Sequence, residues 1–247
     1  MTTPGSSLSD LPRLKPAPLI GSAVAILAGG IQRWLPIWLA LVVFESLLSA
    51  VLRTLHVQRE AYFTSLAFET SLYLGQALGN GLAVRTLIAP DRPVWRPDRG
   101  LAAYTLLSTL AGLAANPYQF SRLLGFKGVG VTFGGALLYV IGALALIKIS
   151  LWFTSVLLGE GRITPARSWR LMRGGVWAYV VALFPMAILP TVVATWFWAQ
   201  YFRHGGFGNL IVCEVFSAMA AVGTSAIAAT VYRARLVDPL QTADVFD

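Results

Sequence analysis

Charge is what this chain of 247 residues has least of, with only 12% Asp, Glu, Lys or Arg. A soluble domain carries about 25%, so the deficit excludes an ordinary water-facing surface. The single cysteine, Cys213, excludes an intrachain disulfide and reads as a small buried apolar residue. The two histidines, His56 and His204, could join Glu60 as metal donors, but near a membrane surface such groups are more often simply solvated. No metal is assigned to them. The chain also lacks a G-x-S-x-G elbow, an H-E-x-x-H helix and a P-loop. It therefore reads as a non-enzymatic protein without a cofactor.

Apolar length takes the place of charge. The chain is 56% hydrophobic, with a mean hydropathy of +0.67. Apolar stretches cover about 34–52, 62–84, 100–116, 130–157, 176–199 and 207–231. Each approaches or exceeds the roughly 20 residues that cross about 30 Å of hydrocarbon. The expected fold class is all-α, a polytopic membrane helical bundle of six transmembrane helices. A polar, turn-rich tail over 1–16 is expected to be disordered, 17–236 forms one membrane domain, and 237–247 is a C-terminal tail.

The net charge of +8 would suggest nucleic acid in a soluble chain, but here the basic residues sit at span ends. The N-terminal tail, the loops after spans two and four and the C-terminal tail together hold thirteen: Arg13, Lys15, Arg33, Arg85, Arg92, Arg96, Arg99, Arg162, Arg167, Arg170, Arg173, Arg233 and Arg235. The other side holds five: Arg53, Arg59, Arg122, Lys127 and Arg203. The positive-inside rule then puts both termini in the cytoplasm, with no nucleic-acid partner. A signal peptide is not expected, because the first apolar run follows a long polar lead.

Two interfacial amphipathic helices are expected. In the first, Ile20, Ala23, Val24, Leu27 and Ile31 recur with helical period. The second is read from its punctuation: Thr164 as N-cap, Pro165 in the first turn and Gly174-Gly175 as the stop. Its Arg167, Arg170 and Arg173 share one face and Trp169, Met172 and Val176 another, which suits anionic lipid headgroups or plain topological anchoring. A parallel internal repeat follows from a shift of 145 residues. It lays Leu27, Gly29, Gly30 and Ile31 on Met172, Gly174, Gly175 and Val176, and Glu69 on Glu214. Pro185 and Pro190 in span five predict a bend or hinge.

Four ionisable residues fall within apolar stretches: Glu45, Glu69, Lys148 and Glu214. Such groups cost roughly 2.5–3.5 kcal/mol at a helix centre on insertion scales, so each must face protein, water or a partner charge. In span two, Ser65, Glu69, Tyr73, Gln76 and Asn80 form a polar stripe. Gly75 and Gly79 border it as a close-approach pair. Span six offers Glu214, Ser217, Thr224 and Ser225. These stripes read as a wet pathway, a hydrogen-bonded packing seam or a docking surface for another membrane subunit. Glu45 and Lys148 lie at similar depth, which predicts an ion pair or, alternatively, a lysine snorkelling to the inner headgroups.

The segment Pro165-Ala166-Arg167-Ser168-Trp169-Arg170-Leu171-Met172-Arg173-Gly174-Gly175-Val176-Trp177 resembles a pattern in bacterial six-span inner-membrane proteins. That group is related to the membrane-spanning region of glycerophosphodiester phosphodiesterases. The resemblance implies the bacterial inner membrane and phospholipid-linked biology. It does not imply the hydrolase, whose barrel domain and active site this chain lacks. The leading expectation is an accessory protein that binds membrane lipids or docks a partner subunit. The alternative is a small transporter or channel using the glutamates of spans two and six.

Overall fold

The computed structural model describes residues 13–54, 62–90, 93, 97–115, 129–161 and 163–237. Of these, 52–54, 62–66, 68, 69, 115, 129–139, 202 and 237 are described by backbone alone. Most of the N-terminal tail and nearly all of the C-terminal tail lie outside the described residues. So do His56, Glu60, Arg59, Arg92, Arg96, Arg122, Lys127 and Arg162, and the side chains of Arg53, Ser65 and Glu69.

The described residues are helical, with no strand among them. The helices are α1 (Pro16–Gly29), α2 (Ile31–Thr54), α3 (Tyr62–Ile88), α4 (Arg99–Ala115), α5 (Val129–Leu157), α6 (Pro165–Leu171), α7 (Val176–Leu183), α8 (Leu189–His204) and α9 (Phe207–Tyr232). A π-helical turn, Phe184–Ile188, joins α7 to α8, and a second, Arg233–Val237, follows α9. Four segments are long and apolar enough to cross a bilayer: Ile31–Val51, Val140–Leu157, Val176–Tyr201 and Phe207–Leu236. α4 is not among them: its 17 residues reach only about 26 Å at 1.5 Å each. α3, with its polar stripe, is not among them either.

α9 is the centre of the bundle and packs on α1, α2, α3, α8 and the π-turn before α8. Its buried face is rich in small residues, including Ala218, Gly223, Ser225, Ala226 and Ala229, which lets neighbours approach closely. The approach predicted at Gly75 and Gly79 of α3 is made by α2, whose Phe44 and Leu41 lie over the two glycines.

The predicted first interfacial helix is α1, but it docks differently from the expected pattern. Leu19 and Ala23 are fully buried, while Val24 is half exposed. α1 is apolar on most sides, so α9 and α7 select the face that packs. The second forms as its punctuation predicts. The Thr164 side chain accepts from the Arg167 N–H at 3.2 Å, Pro165 opens the helix, and Gly174 turns the chain at φ +80°. Arg167, Arg170 and Arg173 are exposed and Trp169 is half exposed. Met172, expected beside Trp169, is instead fully buried in the core.

One end of the bundle is tied by polar contacts. The buried Arg85 guanidinium donates to both Asp98 carboxylate oxygens at 2.7 and 2.8 Å and to the Leu157 carbonyl at 3.2 Å. Asp98 also accepts from the Leu101 N–H at 2.8 Å and so caps α4. Gly100 sits so close to the Leu157 and Val156 carbonyls that a Cβ there would fall within 2.7 and 2.8 Å of them. The Tyr232 hydroxyl donates to Glu160 at 2.6 Å.

Candidate functional site

Helical spacing assembles the site from four helices. Glu45 and Ser49 are four residues apart on α2, and Glu214 and Ser217 three apart on α9, so each pair shares a face. α3 adds Gln76, and α8 adds Thr191 and Thr195. Together with Cys213 they line a cavity of about 160 Å³. Ser49 Oγ donates to Glu214 Oε1 at 2.9 Å. Glu45 is 1% exposed, and neither of its carboxyl oxygens has a partner at hydrogen-bonding geometry among the described residues. The Glu214 carboxyl and the Gln76 amide lie alongside it, close enough to interact.

This arrangement replaces the predicted Glu45–Lys148 ion pair. The two residues were matched by depth, but depth does not fix which helices touch. α2 packs on α3, α9 and α1, whereas Lys148 is carried by α5. The Lys148 ammonium lies 5.0 Å from the centroid of the Trp169 ring, a cation–π contact with the predicted lipid-facing helix. Ser168 Oγ donates to the Lys148 carbonyl at 2.9 Å and fixes α6 against α5.

The α3 stripe divides between three surroundings. Gln76 faces the carboxyl cavity, and Tyr73 packs on Gly112 of α4. Asn80 lines a second cavity of about 300 Å³ with Thr224 and Ser225. Ser225 Oγ donates to the Asn80 side-chain oxygen at 3.1 Å across the α3–α9 seam. Glu69 lies on α3, and its side chain is outside the described ones. The polar residues of α3 and α9 thus line two cavities in series: Gln76, Glu214 and Ser217 in the first, Asn80, Thr224 and Ser225 in the second.

A third cavity, about 350 Å³ and almost wholly apolar, lies between α1, α2, the π-turn and α9. Leu27, Trp34, Trp38, Pro185, Met186 and Met219 line it.

Sequence reasoning missed the contribution of α8 to the carboxyl cavity and the Asp98 cap. Thr191 and Thr195 carry a faint signal, being polar and four apart in an apolar run. The Asp98 signal was clearer: an aspartate directly before an apolar helical run is an N-cap. Among the described residues, no cluster of three or more His, Cys, Asp or Glu could hold a metal ion.

No known protein family matches the chain, and neither does any curated protein or solved structure.

Proposed function

We propose that this chain is a non-enzymatic, six-span protein of the bacterial inner membrane, with both termini cytoplasmic, that passes a proton or small cation through the Glu45–Glu214 cavity. One observation carries the reading: two buried carboxyl groups from different helices meet on one cavity, and among the described residues the Glu45 oxygens have no partner at hydrogen-bonding geometry. A carboxyl group so placed is costly in hydrocarbon, and functional ones face the bundle interior or a water-filled space. Two side by side balance their charge by holding a proton or a cation between them. That is the elementary chemistry of a relay or a cation site.

The duplication has further support. Under the 145-residue shift, the first residues of α2 and α3 fall on the first residues of α7 and α9. Asn80 and Ser225, which touch across the seam, are themselves 145 residues apart. Contact between equivalent positions is expected where two repeats meet at a shared axis. The duplication is uneven: Glu45 corresponds to Pro190, so only one half keeps the second carboxyl group.

The accessory reading keeps a separate footing. Exposed Arg167, Arg170 and Arg173 flank the half-exposed Trp169, and Trp177 is 73% exposed nearby. This suits contact with anionic lipid headgroups, and the apolar cavity suits an acyl chain. A docking site for a membrane subunit has no comparable observation.

The test is flux in liposomes loaded with a pH-sensitive dye or with labelled sodium or potassium. Wild-type protein should conduct one of the three ions, and both Glu45→Gln and Glu214→Gln should lower that flux by about tenfold or more. Lys148→Met should leave it intact. Absence of wild-type flux for all three ions, or full flux in the double glutamine variant, would overturn the proposal.

A further inference from the structure

The second cavity of the seam differs from the first in chemistry. It lies among α3, α4, α5, α7 and α9, and no charged side chain is among the described residues that line it. Three aromatic residues do: Tyr104, Phe153 and Tyr179. The Tyr104 and Phe153 rings meet edge to face, with centroids 6.2 Å apart. Hydroxyl and amide groups line it as well. The Ser150 hydroxyl is buried without a hydrogen-bond partner among the described residues. Asn80 accepts from Ser225 through its side-chain oxygen, which leaves its two amide N–H groups available to an occupant.

We infer that this cavity binds a small, uncharged, hydroxyl- or amide-bearing solute. The inference rests on the transport reading, to which it adds a substrate class. An ion would enter a low-dielectric space with no countercharge, at a cost of several kcal/mol or more. A purely apolar occupant would leave the Ser150 hydroxyl and the Asn80 amide unpaired, which is also unfavourable. A neutral solute with C–H faces and polar edges satisfies both demands, its C–H surface against the rings and its polar groups on Asn80 and Ser150. The size agrees: about 300 Å³ is at the lower end of the range for ligand cavities. Gln76, one turn from Asn80 on the same α3 face, lines the carboxyl cavity, so the solute site adjoins the ionisable one.

Equilibrium binding of radiolabelled glycerol, glucose and urea to the full chain in lipid nanodiscs tests the assignment. At least one of the three should bind saturably. Ser225→Leu, which fills the cavity, should abolish binding. Ser150→Ala removes a hydroxyl with no hydrogen-bond partner among the described residues, so the fold should survive, and it should weaken binding by about tenfold or less. The Glu45→Gln/Glu214→Gln double variant should still bind. Failure of all three solutes to bind, or binding unchanged in both serine variants, overturns the assignment. Ion flux without solute binding would overturn this inference and leave the carboxyl-site reading standing. Solute binding without ion flux would do the reverse.

Discussion

At the scale of single residues, the Arg85–Asp98 ion pair joins a buried guanidinium to a half-exposed carboxylate. Burial works to raise the Asp98 carboxyl, but the Leu101 N–H and the Arg85 guanidinium outweigh it and hold it below the ordinary carboxylate range. A depressed carboxyl contributes stability that is present above its unfolded value, near 3.9, and is lost as pH falls through the folded value. Asp98→Ala removes the cap of α4 and the partner of a buried guanidinium, at an expected cost of about 1–3 kcal/mol near neutral pH. Thermal unfolding in detergent should show that deficit, and it should narrow as acid protonates Asp98 in the wild type below about pH 4. A deficit that stays constant into acid would mean the charge contributes nothing. Lys148 is the contrasting case. Its contact with the half-exposed Trp169 is of a kind worth about 0.5–1 kcal/mol, so Lys148→Met should unfold within about 1 kcal/mol of wild type. A loss of several kcal/mol would point to a buried ion pair instead. The four ionisable residues were legible in the sequence as the positions to examine. Their pairing was not, because periodicity gives each side chain a depth and a face but leaves open which helix covers that face.

At the scale of elements, the break in span five shows how much local sequence can specify. Pro185 and Pro190 announced a bend, since each removes a backbone donor. The form it takes, a π-helical turn over Phe184–Ile188, depends on α9 and could not be read locally. Gly223 of α9 receives the turn: a Cβ there would overlap the Met186 carbonyl oxygen and lie 2.9 Å from its carbonyl carbon. Backbone cannot swing aside as a side chain can, so Gly223→Ala must separate α9 from the turn. The expected loss is about 1–3 kcal/mol, read as a lower unfolding temperature, and the apolar cavity that Gly223 lines should change with it. Gly142, with open space where its Cβ would stand, is the control: Gly142→Ala should be neutral or slightly stabilising. Equal losses from both substitutions would show that helix glycines are tolerated alike and that the contact with the turn carries no special weight. The α6 cap was fully legible for the opposite reason. Thr164, Pro165 and Gly174 act within a single turn of chain, and no distant element is needed to specify them.

At the scale of the whole molecule, polar ties and basic residues gather at one end. Arg85 with Asp98 joins the end of α3 to the start of α4 and the end of α5, and Tyr232 with Glu160 joins the end of α9 to the loop after α5. Gly174 lies beside Arg13, which brings the segment just before α1 to the basic α6 turn. These are the segments that the charge count assigns to the cytoplasm, so sequence and packing agree on which loops lie together. The thirteen-to-five distribution of basic residues predicts that they face the cytoplasm, which is open to direct measurement. With Cys213 replaced by serine, single cysteines can be placed at Ala166, exposed on α6, and at Gly208, exposed at the start of α9 with open space around it. In intact cells an impermeant maleimide should label Gly208→Cys and spare Ala166→Cys until the membrane is opened. Labelling of Ala166→Cys alone would invert the topology and exchange the two mouths of the proposed pathway. Labelling of both from outside would place α6 and the start of α9 on one side, against the single crossing between them and against the six-span count. The measurement bears on mechanism too: Glu214 lies seven residues from the start of α9, so an outward-facing Gly208 sets the carboxyl pair nearer the outer mouth. The hydroxyl-lined cavity then stands on the cytoplasmic side of it, and a cation entering from outside would meet Glu214 before any solute site.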